Sequence, residues 1–170
     1  IPVENLMGDE GKGFPYIMQH FALERLIMAI NGHARAEYAL EYTIGYMKDR
    51  TAFGKSLDKF QALRHKLADM MSEVEMAKNF NYSIAEELDK GLYPVKEASM
   101  AKLLSTKISD EVIYGCLQFL GGYGYIEEYP LARMSRDSRL GPIGGGTSEI
   151  MREIIAKMML DGKDYKPAAE

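Results

Sequence analysis

Leu57-Asp-Lys-Phe60-Gln-Ala-Leu63-Arg-His-Lys-Leu67-Ala-Asp-Met70-Met-Ser-Glu-Val74-Glu-Met-Ala77-Lys-Asn-Phe80-Asn-Tyr-Ser-Ile84-Ala-Glu-Glu-Leu88 places an apolar residue at every third or fourth position without a break. That spacing gathers Leu57, Phe60, Leu63, Leu67, Met70, Val74, Ala77, Phe80, Ile84 and Leu88 on one side of a single long helix. Ser56 stands where it can cap the start, Gly91 where it can end the helix, and Pro94 suits the first turn of the next one. Working outward, a broad stripe of Ile17, Phe21, Leu23, Ile27, Ile30, Ala34, Tyr38 and Tyr42 predicts a helix from about Tyr16 to Lys48. Downstream, Ala98, Ala101, Leu104, Ile108, Val112, Gly115 and Phe119 predict a third helix that stops at Gly121-Gly122. A shorter helix is expected around Tyr129 to Arg139, and a last one from Thr147. No strand alternation and no internal repeat competes with these patterns.

Long helices with one apolar stripe each, joined by short loops, predict an all-α fold: an antiparallel up-and-down four-helix-type bundle with an additional C-terminal helix. The bundle is expected over 16–160. Before it, 1–15 reads as a turn-rich lead leaving some other domain, with Gly8, Gly11 and Gly13 as breakers. After it, 161–170 is a polar tail expected to fray. The chain has 170 residues, 46% hydrophobic, enough for one proper core, and a formal net charge of -4. The acidic balance argues against nucleic-acid partners. No apolar run reaches membrane-spanning length. Cys116 stands alone, which excludes an internal disulfide framework and fits a reducing compartment, the bacterial cytoplasm or the mitochondrial matrix alike.

Bundles often hold paired metals, and a di-iron carboxylate site needs Glu-x-x-His on facing helices. Here Ile17, Ile30 and Ala62 precede His20, His33 and His65 by three residues, so no metal site is expected. Three other segments place polar residues among glycines or aromatics. Arg50-Thr-Ala-Phe53-Gly54 leaves a helix end with a cation and a ring. Gln118-Phe-Leu-Gly121-Gly122 sets an amide beside bare backbone. Gly144-Gly145-Gly146-Thr147 leads into a helix N-terminus, where bare N–H groups meet the positive end of the helix dipole. A guanidinium suits a pyrophosphate, an aromatic ring suits a planar ligand, and glycines admit a bulky one close to backbone. Taken singly, each also reads as ordinary helix punctuation.

Taken in order, these segments resemble the C-terminal domain of the acyl-CoA dehydrogenase family along nearly the whole chain. The matching stretches are Gly8-x-Glu-Gly-x-Gly13-Phe14, Arg50-Thr-Ala-Phe-Gly-Lys55 with Gln61, Gln118-x-x-Gly-Gly-x-Gly-Tyr125, Arg136-Asp137 and Gly146-Thr-Ser-Glu-Ile150. The resemblance implies a flavoenzyme with FAD as cofactor and an acyl-CoA substrate. A carboxylate removes an α-proton while the β-hydrogen leaves as hydride to the flavin. In many members the catalytic Glu immediately precedes the Gly-Thr of the last motif, but that position here is Gly145. The long-chain and isovaleryl-type subset carries its base on the first helix of the domain, just before an Arg, and Leu23-Glu24-Arg25-Leu26 matches that pattern. Glu24 is therefore the expected base.

By the same resemblance, Arg50 and Phe53 contact the flavin dinucleotide of a neighbouring subunit, with Gln61 close by. Gln118, Gly121 and Gly122 meet its adenosine-diphosphate part. Thr147 and Glu149 contact the flavin, and Arg25, Gly144 and Gly145 line the substrate side. Met18, Phe21 and Met28 either shape the acyl pocket or belong to the core. A homodimer or homotetramer and an electron-transfer flavoprotein as acceptor follow from the same likeness. Without further domains the chain is expected to hold flavin weakly and not to turn over. Two alternatives stay open: a related flavin oxidase or monooxygenase, and a non-catalytic oligomerisation bundle.

Overall fold

The computed structural model describes residues 1–165. Within them, helix α1 (Gly13–Asp49) leads into paired two-residue strands β1 (Thr51–Ala52) and β2 (Lys55–Ser56). Helices α2 (Gln61–Asp89) and α3 (Val95–Leu120) follow, then α4 (Gly122–Tyr125), α5 (Pro130–Ser138) and α6 (Ser148–Leu160). Residues 1–12 are exposed and hold one 3-10 turn, Val3–Asn5. The part of the predicted tail from 166 to 170 lies outside the described residues.

The register is plain from cross-helix pairs. Arg25 meets Ser99 and Tyr46 meets the Leu120 carbonyl, so α1 and α3 run parallel. Asn81 meets His33, and Lys78 pairs with Glu37 at 2.8 Å, so α2 runs antiparallel to α1. The all-α antiparallel bundle expected from the sequence is what forms, with α5 and α6 both packed on α3. The stripe on α2 faces inward: Met70, Val74, Ala77 and Ile84 are buried, and its other members are half-buried.

The stripe expected on α1 faces inward only in part: Ile30 and Tyr42 pack against the core clusters. Ile17, Leu23, Ile27 and Tyr38 are each about half exposed, while Ala22, Leu26, Ala29, Ala36, Ala39, Leu40 and Met47 are buried. Small residues win this face because they let α3 come close. At Gly32 an added Cβ would lie 2.8 Å from the Ser105 carbonyl oxygen. A periodicity of large residues cannot report a contact made by small ones. Ser56 also differs from expectation. It precedes a 3-10 turn, Leu57–Lys59, and its hydroxyl bonds the Asp58 carboxylate at 2.5 Å, while Phe60 precedes α2.

Two apolar clusters fill the bundle. One, around Leu40, Met70, Val74, Ile113 and Leu131, lies toward the C-terminal end of α1; the other, around Ala22, Leu26, Ile84, Val95 and Ala98, lies toward its start. Between them runs a polar seam. The Asn81 amide donates to His33 Nδ1 at 2.8 Å and to Ser105 Oγ at 3.0 Å, and the Ser105 hydroxyl donates back to Asn81 Oδ1 at 3.2 Å. Buried polar groups persist where they satisfy one another, as here.

Candidate active site

The first turns of α1, α3 and α6 converge on a cavity of about 580 Å³. Its walls are mostly apolar, with Phe14, Met18, Phe21, Val95, Ile150 and Ile154 among them, and Gly145 and Gly146 form one side. Arg25 is the cation in this wall, only 5% exposed. Its guanidinium lies 5.1 Å from the Phe21 ring centroid and reaches Ser99 Oγ at 3.5 Å, while its Nε has no partner among the described residues. Burial pulls the Arg25 pKa down, and Tyr93 and the Glu24 carboxylate work against that pull. An unpartnered buried donor in an apolar wall is costly unless a ligand meets it.

The glycine turn is held from beneath. Lys102, fully buried on α3, donates from Nζ to the Gly146 carbonyl at 2.6 Å. Burial, and then the charge of Arg25, lower the Lys102 pKa, with Glu149 opposing. Gly145 (φ 62°) and Gly146 (φ 97°) sit in the left-handed region. A Cβ at 145 would fall 2.5 Å from Met28 Sδ, and one at 146 would fall 2.8 Å from Met151 Cε. The left-handed dihedrals favour glycine at both positions, and a side chain there would displace the flexible ends of Met28 and Met151. Thr147 then caps α6, its hydroxyl accepting from the Ile150 N–H at 3.4 Å. Glu149 is exposed, and its own backbone N–H and the Thr147 hydroxyl hold its carboxyl below the usual range.

Lys102 escaped the sequence reading, although a signal was present: it lies one turn after Ala98 on the buried face of α3. Met18, Phe21 and Arg25 line the cavity. Met28 packs under Gly144 and Gly145. Glu24 does not line the cavity. It is exposed, on the neighbouring face of α1.

A second group assembles at the other end of α1. Arg50, Gly121 and Gly122 line one groove of about 420 Å³, with Tyr46, Leu57, Phe119 and Tyr123. The Arg50 guanidinium lies 5.8 Å from the Tyr123 ring centroid and has no carboxylate in ion-pair range among the described residues. Gln118 is exposed one turn before Gly121, whose N–H bonds its carbonyl. Phe53 is 97% exposed with φ 51°, its ring edge-on to Phe60, the residue before Gln61. The structure thus splits the predicted residues into two groups. At about 1.5 Å per residue, Arg25 and Arg50 are roughly 37 Å apart along α1. Among the described residues no cluster of His, Cys, Asp and Glu could hold a metal, and no helix is long and apolar enough to cross a membrane.

A helical bundle with a glycine turn packed on its first helix, and a cation-and-glycine groove at the far end, has a known counterpart. The profile of the family described as "Acyl-CoA dehydrogenase, C-terminal domain" matches residues 11–160, and the chain belongs to that family. The long-chain specific acyl-CoA dehydrogenase, mitochondrial, of Sus scrofa is 39% identical over 163 residues, covering 96% of this chain and 38% of that protein. The isovaleryl-CoA dehydrogenase, mitochondrial, of Oryza sativa subsp. japonica is 38% identical over 157 residues, with 92% and 38% covered. The crystal structure of acyl-CoA dehydrogenase from Geobacillus kaustophilus superposes with a TM-score of 0.92 at 41% identity, covering 94% of this chain and 42% of that one. The chain therefore spans well under half the length of these relatives.

Proposed function

We propose that this chain is the C-terminal bundle of an FAD-dependent acyl-CoA dehydrogenase, in which Glu24 removes the α-proton of an acyl-CoA thioester. Residues 1–15 are then its link to a preceding domain. The observation that carries this reading is the packing of Met28 beneath Gly144 and Gly145. The backbone at Gly145 does not accommodate an acidic side chain unless Met28 shifts. Glu24 sits one turn before Met28 on the same side of α1, with Cβ atoms on the order of 6 Å apart. Glu24 therefore stands on α1, one turn before the residue that packs under the glycine turn, rather than in the turn itself. Proton abstraction from a weak carbon acid needs a base whose pKa is raised by apolar enclosure. Glu24 is exposed beside the cavity, so in the whole enzyme that enclosure comes from the bound thioester and from other parts of the protein. Arg25, the next residue on α1, lines the cavity, and its Nε has no partner among the described residues.

The residues fit the cofactor. Arg50, without a carboxylate partner among the described residues, and the open glycines at 121 and 122 suit a pyrophosphate. Thr147 and Glu149 set the N-terminus of α6 toward the flavin side. FAD, when bound, supplies the hydride acceptor that no side chain provides. The separation of the two groups supports contributions to two different cofactors, one in each of two copies, and hence a homodimer or a dimer of dimers. An electron-transfer flavoprotein as acceptor belongs to the same reading.

The test uses the protein in its full coding context, wild type beside Glu24→Gln, mixed anaerobically with saturated acyl-CoAs while flavin absorbance is followed. Wild type is expected to bleach. Glu24→Gln should keep its flavin and bleach roughly 100- to 10,000-fold more slowly. Equal bleaching of both would remove Glu24 from the role.

A further inference from the structure

Lys102 is a costly means of holding a loop. It is 0% exposed on α3 and spends its ammonium on one neutral acceptor, the Gly146 carbonyl, at 2.6 Å. No carboxylate lies in ion-pair range of it among the described residues. The guanidinium of Arg25 works against its charge, and Glu149, the acid that favours it, is exposed and paired with Arg152 at 3.3 Å. Burial of a cation without a counter-ion is unfavourable, and a neutral hydroxyl satisfies a carbonyl more cheaply. Helix α3 uses that cheaper device elsewhere: the Ser99 hydroxyl donates to the Val95 carbonyl at 2.7 Å. What an ammonium adds is reach and a stronger, charge-assisted bond.

The bond falls on the peptide that most needs fixing. Gly144, Gly145 and Gly146 in a row leave the backbone its widest choice of dihedrals. A trans peptide carries its C=O and N–H on opposite sides, so a Gly146 carbonyl turned onto Lys102 turns the Thr147 N–H away from α3. The N–H groups of Gly145, Gly146 and Thr147 have no hydrogen-bond partner among the described residues, whereas the next, Ser148, donates to the Pro142 carbonyl at 3.0 Å. We infer that Lys102 is the positioning residue of the glycine turn: its bond to the Gly146 carbonyl selects the peptide orientation that presents the free Thr147 N–H to the flavin side of the site. The inference rests on the proposed function for what lies on that side, and adds a residue of α3 to the machinery.

The experiment uses the full protein, wild type beside Lys102→Met, which keeps most of the stem and removes the ammonium. Turnover with a saturated acyl-CoA gives kcat and KM, and hydrogen exchange over residues 144–151 reports on the turn without any substrate. Lys102→Met should exchange faster over that segment. Its kcat should fall roughly tenfold to hundredfold, the loss expected for one charge-assisted bond, with KM moved less than about threefold. Its urea midpoint should stay at or above that of wild type, since a buried cation has gone. Lys102→Arg, which restores a cation and donors, should recover part of kcat. If Lys102→Met does not fold, Lys102→Gln takes its place with the same readouts. Unchanged exchange, unchanged kcat, or a kcat that falls only as the urea midpoint falls overturns the inference and leaves the dehydrogenase reading standing. Turnover of no thioester by wild type overturns the dehydrogenase reading, and the exchange result then decides by itself whether Lys102 sets the turn.

Discussion

Two glycine pairs, Gly145-Gly146 and Gly121-Gly122, look alike in sequence and are held for different reasons. At Gly145 and Gly146 an added Cβ would run into Met28 and Met151, and Lys102 holds the Gly146 carbonyl from below. At Gly121 and Gly122 an added Cβ would meet nothing within 4 Å. The first pair is a packed floor: side chains of the bundle press on backbone, and the turn has little freedom. The second is an open edge beside Arg50, which forms no ion pair among the described residues, and bare backbone faces outward there. A floor suits a reaction in which reacting groups are held close. An edge suits a ligand that arrives from outside, such as a cofactor seated mainly on another copy.

The comparison breaks most sharply at Gly145→Ala. A left-handed dihedral costs a non-glycine residue about 1–2 kcal/mol, and overpacking against Met28 adds about 1–3 kcal/mol. The variant should lose about 2–5 kcal/mol in urea unfolding, and Met28→Ala in the same chain should return only the packing part. A loss below about 0.5 kcal/mol would mean that the floor is not packed as described.

The seam between the two ends should respond to acid. Burial lowers the His33 pKa below its ordinary value, with Glu37 opposing and Lys78 assisting. The unfolded chain then binds a proton that the folded chain refuses. Stability is therefore full above the ordinary imidazole value, about 6.5, and declines as pH falls below it. Protonation would also remove the acceptor that Nδ1 offers to Asn81. The urea midpoint should drop between pH 7.5 and pH 5.5, and the drop should be shallower in His33→Gln. Equal slopes in the two proteins would separate the seam from acid sensitivity.

What the sequence made legible follows the size of the side chains involved. The α2 face was readable because large residues at regular spacing do the packing. The α1 face was misread because Ala22, Ala29, Ala36 and Gly32 make its contacts, and small residues carry little weight in a hydrophobic pattern. The glycine, arginine and glutamine motifs were readable because each demands an unusual backbone or charge. Their division into two groups was not, since it depends on the register between α1 and α3. The pressure of Met28 on Gly145 and the reach of Lys102 to Gly146 are likewise long-range facts that no local spacing encodes.

A smaller effect is expected at the cap of α6. Thr147 satisfies one of the free N–H groups at the helix start, so Thr147→Ala should cost about 1 kcal/mol. Because the cap continues the packed floor, flavin affinity of the full protein should fall with it. If only stability falls, the cap serves the helix alone.

The smallest effect belongs to the open edge. Gly122 begins α4 and, unlike Gly121, has no left-handed dihedral to protect. Its Cβ would stand in free space, so Gly122→Ala should change stability by no more than about 0.5 kcal/mol. If backbone at this edge is bare because a ligand lies against it, the same methyl should still weaken flavin retention in the assembled protein, measured by equilibrium dialysis. Loss of flavin without loss of stability is the signature of an edge. At Gly145 the order should reverse, with stability falling first and flavin only as the fold loosens. Were Gly122→Ala silent in both measurements, the two pairs would differ only in packing, and the Arg50 groove would have no claim on the cofactor.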